Sequence, residues 1–162
     1  MIRLIAAIDR RRGIAKHHFR PWYIPDDQAY FAKMTKTNGG ILLVGATTFA
    51  TAFRSKPLED RTMYVLSSKE QAIDGVEVVS NLHEWLEKFA NQDVWIVGGE
   101  SVYEQVMNAD KADELYITDI DADFGCDQFF PEYEAKFHVE DKSEDLEQNG
   151  FRFNYLRLTR NT

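Results

Sequence analysis

The feature that most constrains the fold of this chain is a series of short apolar segments, each the length of one β-strand and separated by amphipathic segments. Several, such as ILLVG and DVWIVGG, are apolar at almost every position instead of at alternate positions. This pattern is typical of parallel strands covered by helices on both faces, so we predict an α/β fold. The predicted strands are Ile2–Ile8, Ile41–Gly45, Met63–Leu66, Val76–Val79, Val94–Val97 and Leu115–Ile120.

Three helices are predicted from the residues that begin them. Asn81 is a favourable N-terminal cap, and it precedes a segment whose apolar residues recur on one face. The segment 25–27, Pro-Asp-Asp, places a proline and two acids where a first helical turn favours them. Ser101 and Glu104 have the spacing of a capping box, so we expect Ser101 to cap the third helix.

The C-terminal part has a different pattern, with alternation of apolar and polar residues. The segments 136–143 and 151–158 are separated by an acidic turn that contains Asn149 and Gly150, which predicts an antiparallel hairpin. A chain of 162 residues suits one domain, 1–162. We therefore expect a central, mainly parallel twisted sheet with an antiparallel C-terminal edge hairpin and helices on both faces.

Charge and cysteine content limit the possible partners. The net charge of −8 argues against binding to nucleic acid or to an anionic membrane surface. No apolar run approaches the length of a membrane span, and the N-terminus lacks the pattern of a signal peptide. The single cysteine, Cys126, excludes an internal disulfide and suits a reducing compartment. We expect a cytoplasmic protein that binds no metal.

Three predicted strands end in segments suited to phosphate binding. The segment 97–101, Val-Gly-Gly-Glu-Ser, passes from a strand through two glycines into a helix, and glycines allow a ligand to approach the backbone. Hydroxyl groups follow two other strands, in the segments 45–48 and 66–69. Each segment taken alone is more often a helix cap or a tight turn. Together, at the ends of strands in one sheet, they indicate a dinucleotide.

A fourth segment combines a carboxylate with aromatic rings. Asp27 and Phe31 are four residues apart on a predicted helix and therefore share a face, with Trp22 shortly before them. A carboxylate can accept hydrogen bonds from the ring N–H groups of a flat nitrogen heterocycle, which the aromatic side chains would sandwich. The alternative is that Asp26 and Asp27 only complement the helix dipole, and without further context it is the more common case.

The order of these segments resembles the dihydrofolate reductase family of the bacterial type over essentially the whole chain. The matching segments are IAAI, GIA, PWYIPDD with Phe31, VGATTF, PLEDR, LSS, VGGESVYEQ, LYITDID and DQFFPEY. The resemblance implies hydride transfer from NADPH to C6 of 7,8-dihydrofolate, with tetrahydrofolate as the product. It also implies a monomer that binds antifolate inhibitors.

By this resemblance, Asp27 binds the pterin and assists protonation of N5 through a water near Trp22. Burial against Phe31 should raise the pKa of Asp27. Thr118 matches the threonine that hydrogen-bonds this carboxylate, and Arg61 matches the arginine that clamps the α-carboxylate of the substrate's glutamate tail. The other implied substrate-binding residues are Ile5, Ala6, Gln28, Ala52, Leu58 and Val97.

The resemblance also implies the cofactor site. The segment 16–22 corresponds to a mobile loop that covers the nicotinamide, and the peptide bond between Gly98 and Gly99 is expected to be cis. The implied cofactor-binding residues are Ala7, Ile14, Ala15, Lys16, His18, Phe19, Gly45, Ala46, Thr47, Thr48, Leu66, Ser67, Ser68, Lys69, Val97, Gly98, Gly99, Glu100, Ser101, Val102, Tyr103 and Gln105.

Four positions depart from the family pattern. Ala15 replaces a common glycine, Arg20 an aliphatic residue before Pro-Trp, and Gln28 an apolar residue. Ala46 stands where an arginine usually meets the 2′-phosphate of the cofactor, which leaves Lys69, with nearby hydroxyls, as a substitute.

Two other functions are compatible with parts of the sequence. A riboflavin-pathway pyrimidinone reductase has the same fold and a Gly-Gly cofactor turn, but PWYIPDD and PLEDR favour a pterin and a glutamate tail. A nucleotide-binding module without catalysis is the second alternative. The presence of both Asp27 and Thr118 disfavours it.

Overall fold

The computed structural model describes residues 1–69 and 71–162. Their strands are β1 (Ile2–Ile8), β2 (Gly13–Ala15), β3 (Ile41–Gly45), β4 (Thr62–Leu66), β5 (Glu77–Val79), β6 (Val94–Ile96), β7 (Glu114–Ile120), β8 (Gln128–Phe129), β9 (Phe137–Lys142), β10 (Leu146–Gln148) and β11 (Phe151–Arg160). Their helices are α1 (Pro25–Met34), α2 (Ala46–Thr51), α3 (Leu82–Lys88) and α4 (Glu100–Asn108), with a 3-10 turn at Thr37–Gly39.

The main sheet of this described part has the strand order β10-β11-β7-β1-β6-β3-β4-β5. The strands from β7 to β5 pair in parallel, and β11 runs antiparallel to β7. This architecture confirms the predicted fold class. The six strands predicted from apolar segments are all present, with ends that differ by one residue at most.

The C-terminal edge is more elaborate than the predicted single hairpin. The strand β10 lies inside the segment predicted as an acidic turn, and Asn149 and Gly150 connect it to β11. The strand β9 pairs with the far end of β11, where Phe137 is opposite Arg160. The long last strand therefore has two antiparallel partners, one after the other, on the same edge.

Alternation of side chains along the central strands creates two apolar layers. On β1, Leu4 belongs to the layer packed against α3 and α4, whereas the adjacent Ile5 belongs to the layer packed against α1 and α2. The same division applies to β3, where Leu43 and Leu42 face opposite sides. The helices thus cover both faces of the sheet, as predicted.

Two of the three helix starts predicted from the sequence are confirmed. The side chain of Asn81 accepts a hydrogen bond of 3.1 Å from the backbone N–H of Glu84, and Pro25 opens α1. The prediction that Ser101 caps α4 is wrong. The helix already begins at Glu100, because the extended backbone of Gly99 takes the cap position, and the hydroxyl of Ser101 instead accepts a hydrogen bond from Gln105.

Within the described ranges, no helix is both long enough and apolar enough to cross a membrane. In the same part of the chain, no group of three or more metal-ligating side chains could hold a metal ion.

Candidate active site

A cavity of about 450 Å³ opens at the carboxyl ends of the central strands. Its walls come from β1, α1, α2, the connection between β6 and α4, and β7. This is the edge of a parallel sheet where ligands bind in α/β folds. The cavity volume is in the range of small-molecule sites, and the lining is mainly apolar with few polar groups.

Asp27 is the one carboxylic acid among the described residues that line the cavity. It lies in the first turn of α1 with a side chain only 5% exposed, whereas the neighbouring Asp26 is exposed. The hydroxyl of Thr118 donates a hydrogen bond of 2.6 Å to its carboxylate. Thr118 lies opposite Ala7 on the neighbouring β1, so the strand pairing fixes this hydroxyl behind the carboxylate.

The pKa of Asp27 is raised above its ordinary value. Burial is the main cause, because the charged carboxylate loses hydration. The hydrogen bond from Thr118 and the positive charge of Arg20 act in the opposite direction and favour the ionised form. The direction agrees with the prediction from the sequence.

Aromatic and apolar side chains form the wall beside Asp27. Phe31, one turn further along α1, lines the cavity and meets Phe53 edge to face at 6.2 Å between ring centroids. Tyr30 also lines it and is stacked on Tyr155 of β11 at 4.0 Å. A flat ring beside Asp27 would therefore contact apolar surface over most of its area.

The connection from β6 to α4 forms the opposite wall. The peptide bond between Gly98 and Gly99 is cis, as predicted. The carbonyl oxygen of Gly98 accepts a hydrogen bond from the backbone N–H of Gly45, which joins this turn to the end of β3. A Cβ atom added at Gly99 would lie 2.5 Å from the hydroxyl oxygen of Thr48, so only glycine leaves this space open.

Tyr103 links the turn at Gly98 and Gly99 to the central strand β1. Its backbone N–H donates to the carbonyl of Gly99, and its hydroxyl donates a hydrogen bond of 2.5 Å to the carbonyl of Ile5. Complete burial raises the pKa of this phenol, so it stays a neutral donor. These two hydrogen bonds join the glycine turn to β1.

The segment 16–22 contributes two residues, His18 and Arg20, to the cavity lining. Lys16 and Phe19 exchange two backbone hydrogen bonds of 2.8 and 3.1 Å across a tight turn, and the backbone N–H of His17 donates to the carboxylate of Asp127. The segment ends at Trp22, whose ring is 7% exposed. The indole N–H of Trp22 has no acceptor in the part of the chain that the structure describes.

The loop after β4 lies outside the cavity. Ser67 is buried, and its hydroxyl accepts a hydrogen bond of 3.2 Å from the backbone N–H of Lys69. The side chains of Ser68 and Lys69 are exposed beyond the end of the strand. One ammonium group and one hydroxyl group are thus exposed on neighbouring residues, a combination that suits a phosphate, whereas the hydroxyl of Ser67 is buried.

Arg61 also lies outside the cavity wall. Its guanidinium donates to the hydroxyl of Thr35 at 3.0 Å, to the carbonyl of Glu59 at 2.7 Å, and to the carbonyl of Ala32. Partial burial lowers its pKa, without neutralising a guanidinium at physiological pH. These bonds use three of the five N–H donors of an arginine, so two remain for a ligand.

Comparison with known proteins decides the family. The sequence model described as dihydrofolate reductase matches residues 1–160. The chain belongs to the dihydrofolate reductase family. Members of this family reduce 7,8-dihydrofolate to tetrahydrofolate with a hydride from NADPH, as the resemblance predicted.

Individual relatives match along almost the full chain. The dihydrofolate reductase of Drosophila melanogaster is 33% identical over 98% of this chain and 97% of its own length. That of Bacillus subtilis is 31% identical over 96% and 92%. A solved structure, a dihydrofolate reductase from Enterococcus faecalis complexed with NADP(H) and RAB-propyl, is 28% identical with a TM-score of 0.88, covering 100% of this chain and 97% of that one.

The cavity gathers about half of the site residues that the sequence predicts. Those that line it are Ile5, Ala6, Ala7, Ile14, Ala15, His18, Asp27, Gln28, Phe31, Thr48, Ala52, Leu58, Val97, Gly98, Gly99, Tyr103 and Thr118. Those that lie outside its lining are Lys16, Phe19, Trp22, Gly45, Ala46, Thr47, Arg61, Leu66, Ser67, Ser68, Lys69, Glu100, Ser101, Val102 and Gln105.

Some of the residues outside the cavity lining make contacts with other parts of the protein. The side chain of Val102 is buried in the layer of α3 and α4, and the carboxylate of Glu100 accepts a hydrogen bond from the backbone N–H of Phe129. Several other lining residues were not predicted from the sequence, because their residue types do not distinguish them from other loop and helix positions. They are Arg20, Tyr30, Ala32, Thr51, Phe53, Lys56, Pro57 and Gln128.

Proposed function

We propose that this chain reduces 7,8-dihydrofolate with NADPH and that the cavity around Asp27 is its pterin and nicotinamide site. The observation that carries the proposal is a buried carboxylate, hydrogen-bonded to Thr118, in a mainly apolar cavity that an open glycine turn also lines. A carboxylate in this position can accept hydrogen bonds from the 2-amino group and N3 of the pterin. Family membership supports this use of the cavity.

In the proposed reaction Asp27 and Trp22 assist the transfer of a proton to N5 of the pterin. Burial keeps the pKa of Asp27 raised, so this acid holds or passes a proton more readily than an exposed carboxylate. The buried indole N–H of Trp22 offers a donor for a water that would carry the proton to N5. Bound NADPH supplies the hydride for C6. Thr118 positions the carboxylate without exchanging a proton itself.

Two groups of residues suit the dinucleotide. Gly98 and Gly99 leave space for its approach, and Thr48 presents a hydroxyl at the same turn. The exposed Lys69, beside the hydroxyls of Ser67 and Ser68, is our candidate for the 2′-phosphate, since Ala46 supplies no charge. This assignment implies a preference for NADPH over NADH.

The glutamate tail of the substrate would leave the cavity along α1 and α2. Phe31, Ala52 and Leu58 line this side and would contact the aminobenzoyl ring. Arg61 would bind the α-carboxylate with its two remaining N–H donors, and its three protein hydrogen bonds would hold the guanidinium in one orientation. Antifolate inhibitors would occupy the same cavity. We further propose that the enzyme is cytoplasmic and monomeric.

The test is oxidation of NADPH or NADH, followed at 340 nm with and without dihydrofolate. We expect rapid oxidation only with NADPH and dihydrofolate together. NADPH binding without dihydrofolate-dependent oxidation would support a non-catalytic nucleotide-binding module. Oxidation that requires a riboflavin-pathway pyrimidinone instead of dihydrofolate would support the other alternative.

A further inference from the structure

Arg20 places a positive charge at the cavity that holds Asp27. Its side chain lines this cavity, although the family pattern has an aliphatic residue at its position. Among the residues that the structure describes, its guanidinium has no carboxylate within ion-pair distance and no hydrogen-bond acceptor. No contact partner therefore neutralises its charge. The side chain is exposed, so solvent screens part of the effect of this charge on a ligand in the cavity.

The residues on both sides of Arg20 make contacts within the protein. The preceding turn is closed by the paired hydrogen bonds between Lys16 and Phe19. The following residues are Pro21, whose ring restricts the backbone, and Trp22, whose side chain is buried. The presence of the Arg20 side chain at the cavity is thus a consequence of local structure as well as of side-chain length.

We propose that Arg20 is a specificity-determining residue that lowers the preference of this cavity for cationic heterocycles over neutral ones. The inference rests on the proposed function, in which Asp27 binds the ring of the ligand. A neutral ring gives its N–H hydrogen bonds to Asp27 and meets no repulsion from Arg20. A protonated ring gains attraction from Asp27 but is repelled by the guanidinium, so part of the gain is lost.

Other charged or titratable groups near Asp27 do not supply this effect. Tyr30 on α1 and Tyr155 on β11 are the phenols nearest to its charge, and burial raises the pKa of each to about 12, so both are neutral at physiological pH. His18 and Lys56 line the same cavity, but the charge that acts on Asp27 is that of Arg20.

The first test measures, by calorimetry, the binding of two probes that lack a glutamate tail. The pH is chosen so that one probe is neutral and the other is protonated. They are 6-methylpterin, whose ring is neutral, and a 5-benzyl-2,4-diaminopyrimidine, whose ring becomes cationic. For Arg20→Met we expect the cationic probe to bind about 3- to 10-fold more tightly and the neutral one to change by less than about 2-fold, the scale of a partly exposed charge interaction. The difference should shrink at high salt.

Two further variants separate charge from shape. Arg20→Lys keeps the charge and should retain the selectivity of the parent protein. Lys56→Met removes a different cation from the same cavity and should leave the ratio of the two affinities unchanged. The proposal would be overturned if Arg20→Met left the ratio of the two affinities unchanged. It would also be overturned if Arg20→Lys changed this ratio as Arg20→Met does, or if Lys56→Met changed it by as much as Arg20→Met.

The second test follows Asp27 directly, by ¹³C NMR titration of its carboxyl group in the protein without ligands. Since Arg20 favours the ionised carboxylate, Arg20→Met should move the titration midpoint of Asp27 to higher pH, and an unmoved midpoint would contradict the proposal. The proposed function has a separate criterion. If Asp27→Asn leaves binding of both probes unchanged, the pterin site is elsewhere, whatever Arg20 does.

Discussion

At the scale of single residues, chemistry depends on which of two adjacent acids is buried. Asp26 and Asp27 have the same side chain and lie in the same helical turn, but only Asp27 faces the cavity and Thr118. Consecutive residues on a helix are about 100° apart, so one faces the sheet and the other faces solvent. The backbone N–H of Asp26 is hydrogen-bonded to the side chain of Gln148, which holds this turn to the C-terminal hairpin.

Asp27→Asn should lower the rate of hydride transfer near neutral pH by roughly 10²- to 10⁴-fold, the range for loss of a proton-transfer group. The amide keeps the shape and one acceptor but cannot favour a protonated pterin. Activity should recover as the pH falls, because solvent acid then protonates dihydrofolate. Stopped-flow measurements across pH check this. Asp26→Asn should be nearly silent, and the reverse pattern would show that the wrong acid has been assigned.

Lys69→Ala should weaken NADPH binding by about 1–2 kcal/mol, the scale of a hydrogen bond to a charged group, and leave NADH binding nearly unchanged. The reason is that NADH lacks the 2′-phosphate proposed to meet Lys69. Fluorescence titration of both cofactors provides the measurement. Lys111→Ala, a second exposed lysine, removes the same charge elsewhere and should affect neither. Equal losses for both cofactors in Lys69→Ala would assign Lys69 a different role.

At the scale of secondary structure, the sequence predicts elements well where they are long or apolar throughout. The six predicted strands were identified because each lies in a segment rich in apolar residues. The strands β2, β8 and β10 were not, since each is two or three residues long and lies in a mainly polar part of the sequence. The start of α4 was placed two residues late, because the extended backbone of Gly99 can begin a helix without a capping side chain.

The prediction that Asn81 caps the N-terminus of α3 can be tested directly. Asn81→Ala removes the bond to the backbone N–H of Glu84 and should lower the free energy of unfolding by roughly 0.5–2 kcal/mol. Asn81→Asp keeps an acceptor oxygen and should retain the stability. Glu87→Ala, at an exposed position of the same helix, is the control. Urea unfolding measures all three, and a silent Asn81→Ala would mean that the cap contributes no stability.

At the scale of the whole molecule, the candidate site exists only because distant segments meet. Asp27 and Thr118 are separated by 91 positions in the sequence, and the turn at His17 is held by Asp127. No local pattern reports such contacts. The pairing of Asp27 with Thr118 was predicted only from the family resemblance, and the contact between His17 and Asp127 was not predicted. The same limit explains why Arg20 was noted as unusual without being placed at the cavity.

Two buried carboxylates should affect global stability in opposite directions. Burial raises the pKa of Asp27, so its contribution to stability is present at low pH and is lost as the pH rises through the folded-state pKa. Asp9 is 1% exposed, and burial alone would raise its pKa too. Backbone hydrogen bonds from Phe124, Gly13 and Arg11 outweigh this and lower it, so its contribution is present at neutral pH and lost in acid.

The same substitution at the two positions should therefore give opposite results. At pH 7, Asp27→Asn should be more stable than the parent protein, because a costly buried charge is removed, and Asp9→Asn should be less stable. The difference at Asp27 should shrink as the pH falls towards about 4, because its raised pKa allows this carboxylate to be protonated there. The difference at Asp9, whose pKa is lowered, should shrink only below about pH 4. Urea unfolding at several pH values measures them. A destabilised Asp27→Asn at pH 7 would show that the hydrogen bond from Thr118 to the carboxylate outweighs the cost of burying its charge.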